Sequence, residues 1–285
     1  MTDAALPSIA QIVQQYGLRA SKKFGQHFLF DLNLTAKIVR ESAIISTDLV
    51  FEIGPGPGGL TRPLLASGAR VHVIEMDNRF LPHMAELSQY YDQRLTVHFG
   101  DALKFNLDEL AAKQPYHIVA NLPYNVGTAL LINWLSANEA NWQSMTLMFQ
   151  LEVAKRIVAT TGDANYGRLS ILCAAVANAN IVMQVPASAF TPPPKVTSAV
   201  VHLTPLPAAS RYADLDGLAS LTALAFGQKR KMLRASLKPL TALLDMPVSD
   251  WLQQHQIEPT ARPETLSPAQ FMELASQLRK KTNRS

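Results

Sequence analysis

The sequence predicts an α/β fold: a mostly parallel sheet with helices on both faces, followed by a small all-helical C-terminal domain. Three observations predict it. Between residues 46 and 205 short apolar runs alternate with helical stretches, the pattern of a parallel sheet. Leu203-Thr204-Pro205-Leu206-Pro207-Ala208-Ala209-Ser210 then reads as a linker. Beyond it, residues 211–285 show only helical periodicity. The implied division is an arm over 1–30, a sheet domain over 31–207 and a helical domain over 208–285.

The arm holds one apolar-periodic segment, Ile9 to Tyr16, and Asp31 is placed to cap a helix reaching about Ala43. Leu49-Val50-Phe51-Glu52-Ile53 is the first strand of the alternating region. Gly54-Pro55-Gly56-Pro57-Gly58-Gly59 follows, and Leu60 to Leu65 looks like a helix start. Arg70 to Ile74, Leu95 to Gly100 and Tyr116 to Ala120 are the next strands. Met145 to Phe149, Ile181 to Val185 and Val196 to Leu203 come later. In the last domain helices are expected from about Leu215, over Lys229 to Leu237, over Ser249 to His255 and over Pro268 to Lys280.

Strand, glycine turn and helix form the context that a nucleotide fingerprint requires. Gly54, Gly56 and Gly59 fit G-x-G-x-x-G, which by itself is also an ordinary tight turn. The same residues read Glu52-x-Gly54-x-Gly56-x-Gly58, a pattern associated with S-adenosylmethionine (SAM). Glu75, about 20 residues on, suits ribose hydroxyls. Asp101 ends the third strand, where it can accept from an adenine amino group or simply cap the next helix. Three acids poorly suit a pyrophosphate but suit a cationic sulfonium.

Asn121-Leu122-Pro123-Tyr124 closes the strand Tyr116 to Ala120. An exocyclic amine on a nucleobase is a weak nucleophile. The Asn121 Oδ1 and the Leu122 carbonyl can accept its two N–H bonds, and the Tyr124 ring can hold the base flat by stacking. The bland alternative is an Asn/Pro turn. Phe190, ahead of Pro192-Pro193-Pro194, is the candidate for the other face of the base, or else a core Phe before a stiff turn.

Taken together the motifs resemble the small-subunit ribosomal-RNA adenine dimethyltransferases, the KsgA type. Lys23-Phe24-Gly25-Gln26-His27-Phe28-Leu29 is similar to that family's amino-terminal motif, Glu52 to Gly58 to its SAM loop, and Asn121 to Tyr124 to its catalytic loop. Tyr166-Gly167-Arg168-Leu169-Ser170 and Phe190 to Val196 are similar to its late motifs. The resemblance implies a Rossmann-like methyltransferase sheet, SAM as cofactor, and cytoplasmic dimethylation of two adjacent adenosines near the 3′ end of 16S rRNA. It assigns His27, Leu29, Glu52, Gly54, Gly56, Gly58, Glu75, Asp101 and Asn121 to the cofactor. Two departures stand out: His27 where many members have Asn, and Val126-Gly127-Thr128 where many have Ile-Ser-Thr. Rival readings are an Erm-type large-subunit rRNA methyltransferase, which favours Ile at Leu122, a DNA adenine methyltransferase, and a non-catalytic RNA-binding factor on the same fold.

Composition is consistent. A chain of 285 residues with 48% hydrophobic content can bury a sizeable core. No apolar run is long enough to span a membrane, and Met1 to Pro7 has no basic n-region. Cys173 is the only cysteine, so no intrachain disulfide forms. The seven histidines are scattered, and no metal site is expected. Net charge is only +4, yet it is unevenly spread. Residues 4–30 hold Arg19, Lys22 and Lys23 without an acid, and residues 217–244 hold Lys229, Arg230, Lys231, Arg234 and Lys238 without one. On a helix, Met232, Leu233 and Leu237 would face the core, with Lys231, Arg234 and Lys238 opposite. Basic clusters of this kind are a candidate RNA-phosphate surface, or a solvated helix face. The expected partner is 16S rRNA in the small subunit, bound by a monomer.

Overall fold

The structure, a computed structural model, describes residues 6–21, 24–137, 141–228 and 231–282. Among them the strands are β1 Phe28–Leu29, β2 Leu49–Ile53, β3 Arg70–Glu75, β4 Leu95–Phe99, β5 Tyr116–Asn121, β6 Trp142–Gln150, β7 Ala177–Val185, β8 Phe190–Thr191 and β9 Ser198–Pro205. Seven form one sheet in the order β4-β3-β2-β5-β6-β9-β7. β2 is parallel to both β3 and β5, β3 to β4, and β5 to β6, whereas β9 runs antiparallel to β6. Every residue of β2 is buried, as a strand covered by helices on both faces must be. β1 and β8 form a separate two-stranded ladder, Phe28 opposite Thr191 and Leu29 opposite Phe190. Strands of two residues carry no periodicity, so this ladder has no sequence signal.

The chain packs as two compact units, Met1–Ala154 with Asn180–Thr204, and Lys155–Ala179 with Pro205–Ser285. Two boundaries differ from the sequence division. The expected arm over residues 1–30 groups with the first unit, where its helix Ile9–Gln15, capped by Ser8 and Gln11, buries Ile9 and Ile12. The 155–179 stretch belongs with the helices of the second unit. There helix Arg168–Ala174 buries Ile171, Leu172 and Cys173 and packs on helix Leu215–Phe226. The expected Asp31 cap is present, accepting from Asn33 N at 2.8 Å ahead of helix Leu32–Glu41. The core of the first unit gathers around Val50, Leu64, Leu65, Val71, Val73, Met84, Leu87 and Val119.

The second unit is helical, with Leu218, Leu221, Leu233, Leu237, Leu244, Trp251, Leu252, Phe271 and Leu274 buried. The expected basic helix over Lys229 to Leu237 is shorter here. Lys229 and Arg230 lie outside the described residues, and helix covers only Leu233–Ser236. Met232 has extended backbone before that turn and is 41% exposed, so it does not face the core as expected. Past Leu237 the backbone continues as a 3-10 turn over Lys238–Leu240, with Pro239 inside it, and then as helix Thr241–Leu244, so the expected single helix is broken into short turns. Leu233 and Leu237 are buried and Arg234 is exposed, as the amphipathic reading required.

One buried bond ties this unit together. The Tyr166 hydroxyl donates to the Leu266 carbonyl at 2.8 Å, a hundred residues away. Tyr166→Phe keeps the ring but orphans that carbonyl. A loss of about 1–2 kcal/mol is expected in chemical unfolding; an unchanged midpoint and slope would show that water satisfies the carbonyl.

Candidate active site

The carboxyl ends of β2, β3, β4 and β5 open into a cleft of about 1150 Å³, counted out to solvent. Its walls come from residues 24–29, 52–57, 59–60, 74–76, 100–103 and 121–126, with Leu130. Open parallel sheets bind ligands at this edge, where the strand order reverses. The reversal lies between β2, followed by β3 and β4 on one side, and β5, followed by β6 on the other.

The glycine turn after β2 is shaped for close approach. Gly54 has φ of +65°, and a Cβ there would meet nothing within 4 Å, so a ligand can lie against its backbone. Gly59, a residue the Glu-Gly pattern did not single out, is fixed by packing: a Cβ would come within 2.3 Å of the Leu29 carbonyl oxygen. That contact seats the 24–29 segment on the turn. Gly58, assigned to the cofactor, is not part of the cleft wall; its α-carbon faces Leu87 and Met84 instead.

Three carboxylates reach the cleft in different states. Glu52 is 1% exposed, and among the described residues its Oε2 has no hydrogen-bond partner. Burial pushes its pKa up to about 8; the neighbouring Thr61 hydroxyl opposes the shift and the Glu75 charge adds to it. Thr61 Oγ1 is near enough to favour the charge without being aligned for a bond. Glu75 is also buried, and burial raises its pKa, but backbone N–H groups offset this: Asp77 N donates at 2.8 Å and Gly56 N at 3.2 Å. Glu75 thus holds the glycine turn to β3. Asp101 lines the cleft and also accepts from Leu103 N at 3.0 Å, so both roles open to it from sequence are compatible.

Asn121 ends β5 with its side chain oriented. Its Nδ2 donates to the His27 carbonyl at 3.0 Å, and a carbonyl accepts only, so the amide cannot be flipped. No described residue donates to Oδ1, which is left for a ligand. None of the backbone bonds of the following turn uses the Leu122 carbonyl; Val126 N and Gly127 N donate to Pro123 O. Tyr124 is half-buried, its hydroxyl 2.6 Å from Ser198 Oγ. Phe190 is a different matter. It is 3% exposed, belongs to the sheet-domain core and is not on the cleft wall. The core reading describes it better than a free stacking face. The ring nearest Tyr124 is His27, centroids 5.6 Å apart and planes 30° apart.

Several partners carried no sequence signal. Gln26 bonds Ser21 N and Asp77, tying the arm beside Glu75. Met76 and Leu103, both exposed, add apolar wall on either side of the Glu75 and Asp101 tips. Of the basic residues, Arg19, Lys231 and Arg234 are exposed, whereas Lys22, Lys23, Lys229 and Arg230 lie outside the described residues. Among the described residues no group of three His, Cys, Asp or Glu could hold a metal, and no helix is long and apolar enough to cross a membrane.

An unpartnered buried carboxylate, an open glycine cradle and a ribose-type acid fit a cationic, ribose-bearing ligand without phosphate. The comparisons agree. The family model described as ribosomal RNA adenine dimethylase matches residues 17–280. A protein of Allorhizobium ampelinum called ribosomal RNA small subunit methyltransferase A is 51% identical over 96% of this chain and 98% of its own. One of the same description in Roseobacter denitrificans is 52% identical over 95% of this chain and 96% of its own. Among solved structures, a dimethyladenosine transferase from Plasmodium falciparum is 30% identical, with a TM-score of 0.74 over 90% of this chain and 98% of that one. The 23S rRNA methyltransferase ErmE is 26% identical, with a TM-score of 0.63 over 88% of this chain and 99% of that one.

The state of Glu52 generates a pH prediction. In the folded protein it keeps its proton up to about pH 8, against an ordinary value of 4.5. Between those values the native state binds more protons than the unfolded one, so this group's contribution falls as pH rises and is fully restored below the unfolded value. Glu52→Gln should therefore leave Tm unchanged near pH 4.5 and raise it by about a few degrees at pH 8 and above. SAM binding near pH 7 should release up to about one proton, because a cation favours the carboxylate. A pH-independent Tm difference, or no buffer dependence in the calorimetric heat, would contradict the buried neutral acid.

Proposed function

The chain belongs to the ribosomal RNA adenine dimethylase family, and from that premise we propose that the cleft presents one extruded adenosine to SAM. The protein is a SAM-dependent rRNA adenine dimethyltransferase, and the activity is N6,N6-dimethylation of adenosines in 16S rRNA. The cleft wall supports this reading, since it includes the arm, glycine-turn and Asn-Leu-Pro-Tyr motifs together. The observation that carries it is the fixed carboxamide of Asn121, whose Oδ1 faces a cleft edged with buried acids.

When bound, SAM supplies a methyl group activated on a sulfonium. The residues do the rest by position. Asn121 Oδ1 and the Leu122 carbonyl accept the two N6–H bonds and aim the nitrogen lone pair. Tyr124 stacks on the base and keeps its plane fixed. Glu52, once ionised, favours positive charge in the cleft; Glu75 and Asp101 accept from ribose and adenine of the cofactor, beside Leu29, Gly54 and Gly56. No strong base is required: methylation makes the nitrogen cationic and its protons acidic, and one of them leaves to water. Positioning of this kind accounts for large rate factors without further chemistry.

The substrate is proposed to be the small subunit during its assembly, bound by a monomer in the cytoplasm. The pocket recognises one base, so the choice of site falls to basic surface: Arg19, Lys22 and Lys23 in the arm, and Lys229, Arg230, Lys231 and Arg234 in the helical unit. Phosphate contacts of this sort position RNA without reading its sequence.

Two measurements test the reading. Asn121→Ala should retain SAM but lower methyl transfer by about 10²–10³, as for loss of one preorganised polar contact; near-normal transfer by the folded variant would reject the carboxamide's role. A Lys229/Arg230/Lys231/Arg234→Ala variant should bind small subunits more weakly, with a salt slope lower by about 0.7–0.9 per lost phosphate contact. Unchanged slope and affinity would leave that cluster a solvated face.

A further inference from the structure

The 24–29 segment touches each part of the cleft, and the contacts converge on His27. Its carbonyl accepts from Asn121 Nδ2 at 3.0 Å. Its Nδ1 lies 2.8 Å from the Pro192 carbonyl, which only accepts, so Nδ1 carries the proton. Its ring lies 5.6 Å from Tyr124 at 30° and 6.5 Å from Phe190 at 82°, a tilted ring contact on one side and an edge contact on the other. The flanking residues are held as well: Phe28 and Leu29 pair with Thr191 and Phe190, and Gly25 lies so close to the next loop that a Cβ would meet Asn125 Oδ1 at 3.2 Å.

The family resemblance gives His27 to the cofactor. The contacts of its side chain run elsewhere, to Tyr124, Phe190 and Pro192, on the side where the base is read. The geometry points to His27 as a positioning residue for the target adenine: its imidazole fixes the plane of Tyr124 and tethers the 190–192 turn, holding the stacking ring beside the Asn121 amide before RNA arrives. This inference rests on the base-binding roles given to Asn121 and Tyr124. It also explains why Phe190 is buried. Phe190 supports the imidazole edge-on, and the imidazole in turn supports Tyr124, whose far end is anchored on Ser198.

The two functions of the ring separate by substitution. His27→Asn supplies a donor for Pro192 but no ring for Tyr124; His27→Phe supplies a ring but no donor. The full-length protein and its His27→Ala, His27→Asn and His27→Phe variants are compared by SAM calorimetry and by methyl transfer to unmethylated small subunits at saturating SAM. His27→Ala should keep SAM affinity within about 3-fold and lower kcat by about 30- to 100-fold, the scale of a misplaced reacting group. His27→Asn and His27→Phe should each recover part of kcat. The inference is overturned if His27→Ala loses SAM affinity while kcat at saturation holds. It is equally overturned if both partial variants turn over like wild type, which keeps the test valid where the alanine variant does not fold. Failure of wild-type protein to methylate any subunit would instead remove the base-binding reading, and this inference with it.

Discussion

Because β2 bonds to β3 on one side and to β5 on the other, the chain leaves the two central strands in opposite directions. The space between their carboxyl ends is therefore not filled by the connection of either one. Every polar group of the cleft depends on that gap. Glu52 and the glycine turn come from one lip, and Asn121 and the proline turn from the other. Neighbouring β3 and β4 bring Glu75 and Asp101 to the same edge, since parallel strands in register end together. The arm closes the remaining side. Its backbone passes so near Gly59 that no other residue fits, and it offers the carbonyl that orients Asn121.

This arrangement carries an electrostatic cost. A carboxyl at 1% exposure with an unpartnered oxygen is unfavourable as an ion and incompletely satisfied as an acid. A core of similar size filled by an apolar side chain would be more stable. In the proposed function a positive ligand recovers that cost, and Glu52 there selects charge as well as forming wall. Glu75 shows the contrast. Its carboxylate, also buried, is already engaged by two backbone N–H groups, so it serves the fold with no ligand bound. The two acids, on adjacent strands, are thus held differently: Glu75 bonds the turn, and among the described residues Glu52 keeps one oxygen without a partner.

What could be read from the sequence follows from the range of the interactions. The central strands β2, β5 and β6 were legible because burial on both faces writes long apolar runs. That Glu52, Glu75, Asp101 and Asn121 share one cleft was legible because each sits at or near the end of such a run, and parallel strands end together. The Asp31 cap was legible because it acts over two or three residues. Long-range placement was not. Nothing near Phe190 in sequence shows that it pairs with Leu29 and turns inward, nor that Gly58 faces helix Leu81–Tyr90 instead of the cleft. The basic helix failed for a local reason: Met232 is extended and the helix breaks again at Leu237, ahead of separate short turns over Lys238–Leu240 and Thr241–Leu244, and the hydrophobic spacing showed neither break. The 155–179 stretch failed for a tertiary one, because helix Arg168–Ala174 has an apolar face whose partner, helix Leu215–Phe226, lies far along the chain.

With the roles proposed for Asn121, Leu122 and Tyr124, two acceptors at the base amine suffice for the first methyl transfer but not, unchanged, for the second. Unmodified adenine offers two N6–H bonds, one for Asn121 Oδ1 and one for the Leu122 carbonyl. The monomethylated amine has one. The methyl group must then replace a hydrogen against one acceptor, and an oxygen facing a methyl group loses its bond. Leu122 O belongs to the backbone of a proline turn and cannot move far; Asn121 Oδ1 sits on a side chain whose other end is fixed by the His27 carbonyl. Neither acceptor can withdraw freely, so the base itself must rotate or slide between the two transfers. Such a shift happens in the plane that Tyr124 stacks on, which permits sliding while it prevents tilting. A stacking surface held rigidly, together with acceptors that do not follow the nitrogen, is therefore the combination that lets one site perform both methylations.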